Sequence, residues 1–342
     1  MDPELLERAR AGDGDAFAEL VGRYRRELHV HCYRILGSVT DADDAMQDTL
    51  LSAWRSIAGY EERASLRTWL YRIATSRCLN LLRSARMRPV TSLPGDVQPP
   101  EPTRLGSVTW LEPYPDVLLL ETLPSAVAGP EARAESREAI SLAFVTALQL
   151  LPPRQRAVLV LRDVLDFSAR ESAEMLDTTE QSVTSALKRA RATLRRETPP
   201  GGQRPPPLPD SPVEQELVRR MTDAFEAGDV DAMVALMTED AWLTMPPVPL
   251  EYQGRELAGR FFAAVAFREG RRYRLVSIRA NRQPAFATYR IDSETAISHA
   301  FGLLVLTLSG DKISALTRFD NTALAAFGLP DNLPARQGSG AA

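Results

Sequence analysis

Trp69, Arg72, Ser76, Asn80 and Arg83 recur at spacings of 3, 4, 4 and 3, which places them on one face of a helix predicted over 66–83. An indole ring beside guanidinium and amide groups is an inventory suited to stacking an unpaired base and gripping its strand. Arg63, Arg67, Arg77, Arg86 and Arg88 add positive charge, against Glu61 and Glu62 alone in this stretch. The alternative is that Trp69 simply covers a neighbouring helix. A second polar set, Asp44, Gln47, Asp48, Leu51 and Arg55, falls at offsets of 3, 4, 7 and 11 on a helix predicted over 41–57. It is either a solvated face or a docking face for a basic partner. A third set, Gln181, Ser182, Thr184, Ser185, Lys188 and Arg189, lies on the exposed side of a helix predicted over 179–196, where no acidic residue occurs from 186 to 196. These types suit hydrogen bonds to phosphates and base edges.

Each face needs an apolar stripe behind it. On 41–57 the stripe is Ala42, Ala45, Met46, Thr49, Leu50, Ala53 and Ile57, with Asp41, Asp43 and Asp44 in the first turn, where negative charge meets the helix dipole favourably. On 66–83 it is Leu66, Leu70, Ile73, Ala74, Leu81 and Leu82. The third face fits a helix-turn-helix: with Ala169 as first position, Ala173 is the small residue where the helices touch, Asp177 the turn and Val183 the buried branched residue. An ordinary helical hairpin with a basic end is the alternative.

The chain has 342 residues, enough for two or three domains, and its 44% hydrophobic and 25% charged residues are those of a globular protein. It offers no run of ~20 apolar residues for a membrane span. The N-terminus lacks a basic-then-apolar leader pattern, so a soluble cytoplasmic protein with no membrane partner is expected. Cys32 and Cys78 are too few for a disulfide framework, and His29, His31 and Cys32 have no partner cluster nearby, so neither metal nor other cofactor is expected. No Walker loop, dinucleotide fingerprint or hydrolase nucleophile motif occurs. Net charge is -4, yet all but two of the 41 basic residues are Arg, the side chain of phosphate forks and stacking. Residues 89–136, with nine prolines between 89 and 130, and 198–212, with seven prolines between 199 and 212, read as linkers. The second should be semi-rigid and extended.

DADDAMQDTLLSAW, YEERASLRTWLYRIATSRCLNLLR and LPPRQRAVLVLRDVLDFSARESAEMLDTTEQSVTSALKRARATLRR together resemble an extracytoplasmic-function (group IV) sigma factor of bacterial RNA polymerase. The resemblance covers 1–88 and 137–197. It implies two all-α domains, the second a helix-turn-helix, that bind core polymerase at its clamp and flap, and promoter DNA. Asp44, Gln47 and Asp48 would face the clamp. Tyr60, Arg63 and Ser65 would belong to a loop holding a flipped minus-10 base, with Trp69, Arg72, Asn80 and Arg83 at that strand. Gln181, Ser182, Thr184, Ser185, Lys188 and Arg189 would meet the minus-35 duplex. The loop's Tyr60-Glu61-Glu62-Arg63 departs from the Phe-Arg-Gly-rich sequence frequent in the family.

WLEPYPD at 110–116 resembles the linkers of sigma factors that carry a C-terminal SnoaL-like domain, which implies a regulatory role for Trp110, Pro113, Tyr114 and Asp116. The tail agrees: helices are predicted at 213–227, 229–237 and 254–266, then strands at 272–279, 284–291, 297–308 and 313–320 with Gly310-Asp311 as the last turn. An α+β cone-shaped domain is expected over 213–330, followed by a flexible tail at 331–342. Asp240, Tyr252, Tyr289, His299 and Asp320 are types that enzymes of this fold use, but fold does not fix function. A pocket lined by Trp242, Met245, Phe261, Phe262 and Phe301 would suit an apolar ligand, unless these residues are core. The expected role is therefore a sigma factor, not an enzyme, whose tail regulates it in cis and takes a small-molecule ligand or protein partner. The rivals are a stand-alone regulator using only the helix-turn-helix, and a SnoaL-like isomerase or cyclase fused to DNA-binding helices.

Overall fold

The computed structural model describes residues 2–84, 97–106, 110–119, 138–197 and 204–335. The chain forms two compact units, 1–88 with 117–200, and 89–116 with 201–342.

The first unit is helical: Pro3–Arg10, Gly14–Gly22, Arg25–Leu36, Val39–Ser56 and Leu66–Ser84, then Leu142–Gln149, Pro153–Leu159, Ala169–Met175 and Glu180–Glu197. Side-chain caps fix several starts: Asp13 accepts from the N–H groups of Asp15 and Ala16, Ser38 from that of Asp41, and Ser168 closes a capping box with Glu171. Helix Val39–Ser56 buries Val39, Ala42, Ala45, Met46, Thr49 and Ala53, the expected stripe except for half-exposed Leu50. Helix Leu66–Ser84 differs more: Tyr71, Thr75, Cys78 and Leu79 are buried, while Ile73, Leu81 and Leu82 keep partial exposure. Polar partners turn the stripe. Thr75 Oγ1 lies 2.8 Å from His31 Nε2, the Tyr71 hydroxyl donates to Glu27 at 3.3 Å, and the His31 and Tyr71 rings meet edge to face at 4.9 Å.

Arg156 is 5% exposed and holds helices together by donating to the carbonyls of Gln149 at 3.0 Å and Leu151 at 3.1 Å, to that of Ile35, and to the Gln149 side chain. Burial pulls its guanidinium down to about 10. In the helix-turn-helix, Ala173 and Val183 are buried and Asp177 takes φ 48, the left-handed conformation that a tight turn needs and that Asp tolerates. The sequence assignment of all three positions agrees with the structure.

The second unit is α+β. Helices Pro212–Ala227, Val230–Ala235 and Arg255–Phe261 accompany a mixed sheet of β1 (Arg104–Leu105), β2 (Met237–Met245), β3 (Val248–Gln253), β4 (Tyr273–Ala280), β5 (Gln283–Ile291), β6 (Ser298–Ser309), β7 (Lys312–Phe319) and β8 (Asn332–Leu333). The order is β1-β3-β2-β7-β6-β5-β4, with β8 on β6 and a parallel β2–β7 pair. Strands β4 to β7 fall where the alternation predicted them. The β2–β3 hairpin was not expected, because Pro246-Pro247 and the acidic, exposed Glu239 and Asp240 break the apolar alternation.

Both linker readings need correction. Residues 97–106 and 110–116 belong to the second unit: β1 pairs with β3, giving that edge strand a partner, and Pro115 bridges Ala280. The Pro-rich segment from Arg204 onward also packs, its Arg204 and Pro205 carbonyls accepting from the Ser309 hydroxyl and the Gly310 N–H. Nor is 331–342 wholly a free tail, since Asn332–Leu333 pairs with β6. Arg86, Arg88 and 120–137 lie outside the described residues.

Candidate functional site

On helix Val39–Ser56 the side chains of Asp44, Gln47, Asp48, Leu51 and Arg55 are all exposed, an uninterrupted stripe opposite the core. Around the corner, Ser52, Arg55, Ser56, Trp69, Arg72, Ile73, Ser76 and Arg77 line one concave groove, so arginines from two helices flank the indole. Arg72, Asn80 and Arg83 are exposed on the same helix. Trp69 is half-buried against Tyr60, ring centroids 5.0 Å apart, and its remaining surface lines the groove.

Tyr60, Arg63 and Ser65 occupy the loop before that helix. Tyr60 is 5% exposed and its hydroxyl donates to the Ala64 carbonyl at 2.6 Å, so it shapes the loop from beneath. Arg63 is exposed, and Ser65 caps the helix by accepting from the Thr68 N–H at 3.0 Å. A cleft holds Arg63, Ser65 and Trp69 on one side and Arg170, Glu171 and Glu174 of the first helix-turn-helix helix on the other.

On helix Glu180–Glu197 the side chains of Gln181, Ser182, Thr184, Ser185, Lys188 and Arg189 are all exposed, while Val183, Ala186, Leu187 and Ala190 are buried. Thr179 fixes the helix start by accepting from the Ser182 N–H at 3.2 Å. Arg191 is held in a two-point ion pair with Asp163, at 2.9 and 2.7 Å. His31 is a buried core residue. Among the described residues no group of three or more His, Cys, Asp or Glu side chains is arranged to hold a metal ion.

In the second unit Pro113 and Tyr114 are buried, with Tyr114 1% exposed. The Tyr114 N–H donates to Asn281 Oδ1 and the Asn281 N–H donates to the Tyr114 carbonyl, both at 2.8 Å. Asp116 accepts from the Arg282 N–H at 2.7 Å and lies 3.5 Å from Arg279, which also pairs with buried Glu214 at 2.6 Å. Burial raises the Asp116 carboxyl despite these partners. Asn281 and Arg282, with φ 54 and 61, form the two-residue β4–β5 turn that receives this segment.

A cavity of about 240 Å³ opens in the same unit, walled by Met245, Phe261, Phe262 and Phe301 of the expected set together with Phe225 and Leu243. Trp242 is absent from it and lies instead under the Arg104 guanidinium, 4.6 Å away. The five candidate catalytic types are not brought together: Asp240 and His299 are exposed, Tyr252 and Tyr289 donate to the carbonyls of Pro100 and Pro330, and Asp320 alone lines the cavity. The cavity also holds Arg271 and Arg318, which the sequence reading missed, since neither carries a motif.

An acidic stripe, an aromatic and basic groove, and a helix-turn-helix in one helical unit, followed by helices on a mixed sheet, define a DNA-binding protein with a fused α+β domain. Residues 20–88 match Sigma-70 region 2, 141–194 match Sigma-70, region 4, and 218–316 match the SnoaL-like domain. The ECF RNA polymerase sigma factor SigG of Mycobacterium tuberculosis is 42% identical over 333 residues, covering 95% of this chain and 86% of that protein. SigW of Bacillus subtilis, also an ECF RNA polymerase sigma factor, is 29% identical over 197 residues, 58% of this chain and 96% of its own length. The crystal structure of M. tuberculosis SigJ, an extracytoplasmic function sigma factor, shares the fold with a TM-score of 0.59 at 21% identity, covering 90% of this chain and 98% of that one. The chain belongs to the extracytoplasmic-function family of RNA polymerase sigma factors. It is a promoter-specificity factor for transcription initiation with a C-terminal SnoaL-like domain, and not an enzyme. No helix among the described residues is long and apolar enough to cross a membrane.

Proposed function

We propose that residues 1–88 engage the polymerase clamp and the minus-10 strand, that 137–197 engage the flap and the minus-35 duplex, and that 213–330 regulates both in cis. Support for the first part is the separation of faces: Asp44, Gln47 and Asp48 point away from the core on one helix, and Trp69, Arg72, Asn80 and Arg83 occupy the next. Holding a base out of the stack costs a few kcal/mol, which a stacking and hydrogen-bonding groove offsets. Asn80→Ala should therefore leave polymerase binding intact and reduce promoter opening, read by permanganate reactivity of unpaired thymines. Wild-type reactivity of the variant on a duplex promoter would overturn the minus-10 assignment.

The observation that carries the regulatory part is the docked 110–116 segment. The chain that joins the two sigma regions is built into the second unit at Tyr114 and Asp116, so the free length between those regions depends on whether the segment is docked. A tethered contact acts at ~mM effective concentration, so a modest interaction suffices to hold one arrangement. Full-length Tyr114→Ala/Asp116→Asn should change run-off transcription with purified core polymerase at equal protein level. Output equal to wild type at every polymerase concentration would remove cis regulation through this segment.

A further inference from the structure

The SnoaL-like cavity has an apolar body and an uneven charge inventory. Phe225, Phe261, Phe262 and Phe301 supply most of an aromatic wall, and the polar groups are Arg271, Thr288, Arg318 and Asp320. Three of these four are committed elsewhere. The Thr288 hydroxyl donates to the Gly302 carbonyl at 2.8 Å, Asp320 caps the following helical turn by accepting from the Thr322 N–H at 3.0 Å, and Arg271 lies 3.5 Å from Glu269. Arg318 differs. Its guanidinium lies 4.7 Å from the Phe301 ring centre and donates to the Phe301 carbonyl at 3.2 Å, and among the described residues it forms no ion pair. Desolvation by the surrounding protein pulls its pKa below the ordinary value, although the Asp320 carboxylate at the same cavity acts in the opposite direction. A guanidinium so placed is held at a cost that an anion in the cavity would relieve.

We propose that this cavity is a receptor site for a small apolar monocarboxylate, its acid group paired with Arg318 and its hydrocarbon body against the phenylalanines. The cavity's volume of about 240 Å³ is on the scale of a medium-chain acid. Val97 lines the same cavity, and the Tyr252 hydroxyl donates to the Pro100 carbonyl at 3.1 Å, so the segment leaving the first sigma region forms part of the wall. Occupancy therefore bears on how that segment docks. Ligand binding stands without the regulatory reading above; its effect on transcription rests on that reading.

The test is calorimetric titration of the full chain with decanoate, decanol and decylamine. Decanoate should bind at least tenfold more tightly than decanol, with decylamine weakest. Arg318→Met should bring the acid and the alcohol to within about twofold of each other while retaining alcohol binding, a readout that misfolding does not imitate. If that variant does not fold, the wild-type ranking decides, with Val265→Trp, which fills the cavity, expected to abolish binding of both. Equal affinity for acid and alcohol in the wild type, or no binding of decanoate at millimolar concentration, overturns the proposal. Tight decanoate binding with unchanged run-off transcription keeps the receptor and overturns its coupling to transcription, while the Tyr114→Ala/Asp116→Asn variant decides the cis-regulatory reading separately.

Discussion

Lys188 on helix Glu180–Glu197 and Arg318 on β7 are both cations, but their surroundings are opposite. Lys188 is exposed on a helix whose apolar residues face the other way, whereas Arg318 lines a cavity among phenylalanines. The helical unit turns its polar chemistry outward, where the partner is a polyanion or a protein surface and the cost of carrying charge is small. The SnoaL-like unit turns part of its charge inward, where the same group is desolvated and its partner must be small enough to enter. Removal of a side chain should accordingly cost little stability and much binding on the outward faces, and the reverse wherever the polar group is buried.

Arg156 is the strongest challenge to a simple division between the units, because it is a buried cation in the outward-facing one. Arg156→Ala leaves the carbonyls of Ile35, Gln149 and Leu151 without this donor inside the protein, which should cost about 3 kcal/mol. Arg156→Lys should restore only part, since an ammonium cannot reproduce the guanidinium fork. Chemical denaturation followed by helical circular dichroism measures both, and an unchanged midpoint for Arg156→Ala would show that the network carries no stability.

His31 comes next, and its effect depends on pH. Burial pulls its pKa from 6.5 to about 3, with Arg34 and Arg67 adding to the shift. The unfolded chain therefore takes up a proton as pH falls through 6.5 while the folded chain does not, so stability is full above that value and declines toward pH 3. Between pH 7.5 and 5 the loss should be about 2 kcal/mol. His31→Gln, which keeps a group able to reach Thr75, should flatten this pH dependence relative to wild type. Equal slopes for the two proteins would mean that His31 becomes protonated without unfolding.

Legibility followed the same division. The outward faces were readable because a helix repeats its exposed side every three or four residues, and every residue assigned to the polar face of Val39–Ser56 or of Glu180–Glu197 is exposed. The burial of Tyr60 was not legible, because an aromatic in a polar loop has the same sequence signature whether it faces out or, as here, packs against Trp69. Burial of Tyr71 and Thr75, with Ile73 only partly covered, was not legible because their partners Glu27 and His31 lie on a different helix and leave no local trace. In the second unit four strands were legible from their alternation. The β1–β3 pairing joins residues about 150 positions apart, as in the Gln253 N–H to Thr103 bond, and no local pattern encodes it. Arg318 was invisible for a related reason: on β7 its position opposite Leu304 makes it a cavity residue, and neither neighbour announces that a cavity exists.

The smallest effect on stability, and the sharpest test of the contrast, belongs to Lys188 and Arg189. Both are exposed and sit outside the buried set of their helix, so Lys188→Ala/Arg189→Ala should change unfolding free energy by no more than ~0.5 kcal/mol. Alanine is also the better helix former, which offsets part of any lost surface interaction. Promoter binding should respond in the opposite proportion. If both cations neutralise phosphates, the slope of log affinity against log salt should become shallower by about two, the loss being similar across promoter sequences. If one of them reads a base edge instead, the slope should change by about one and discrimination at a single position should relax by ~1–3 kcal/mol. A variant that keeps the wild-type slope and sequence preference while remaining folded would remove this face from DNA recognition. A variant that instead loses stability by several kcal/mol would show that the basic end of the helix has a structural task, and the distinction between outward and inward chemistry would then fail where it is most exposed.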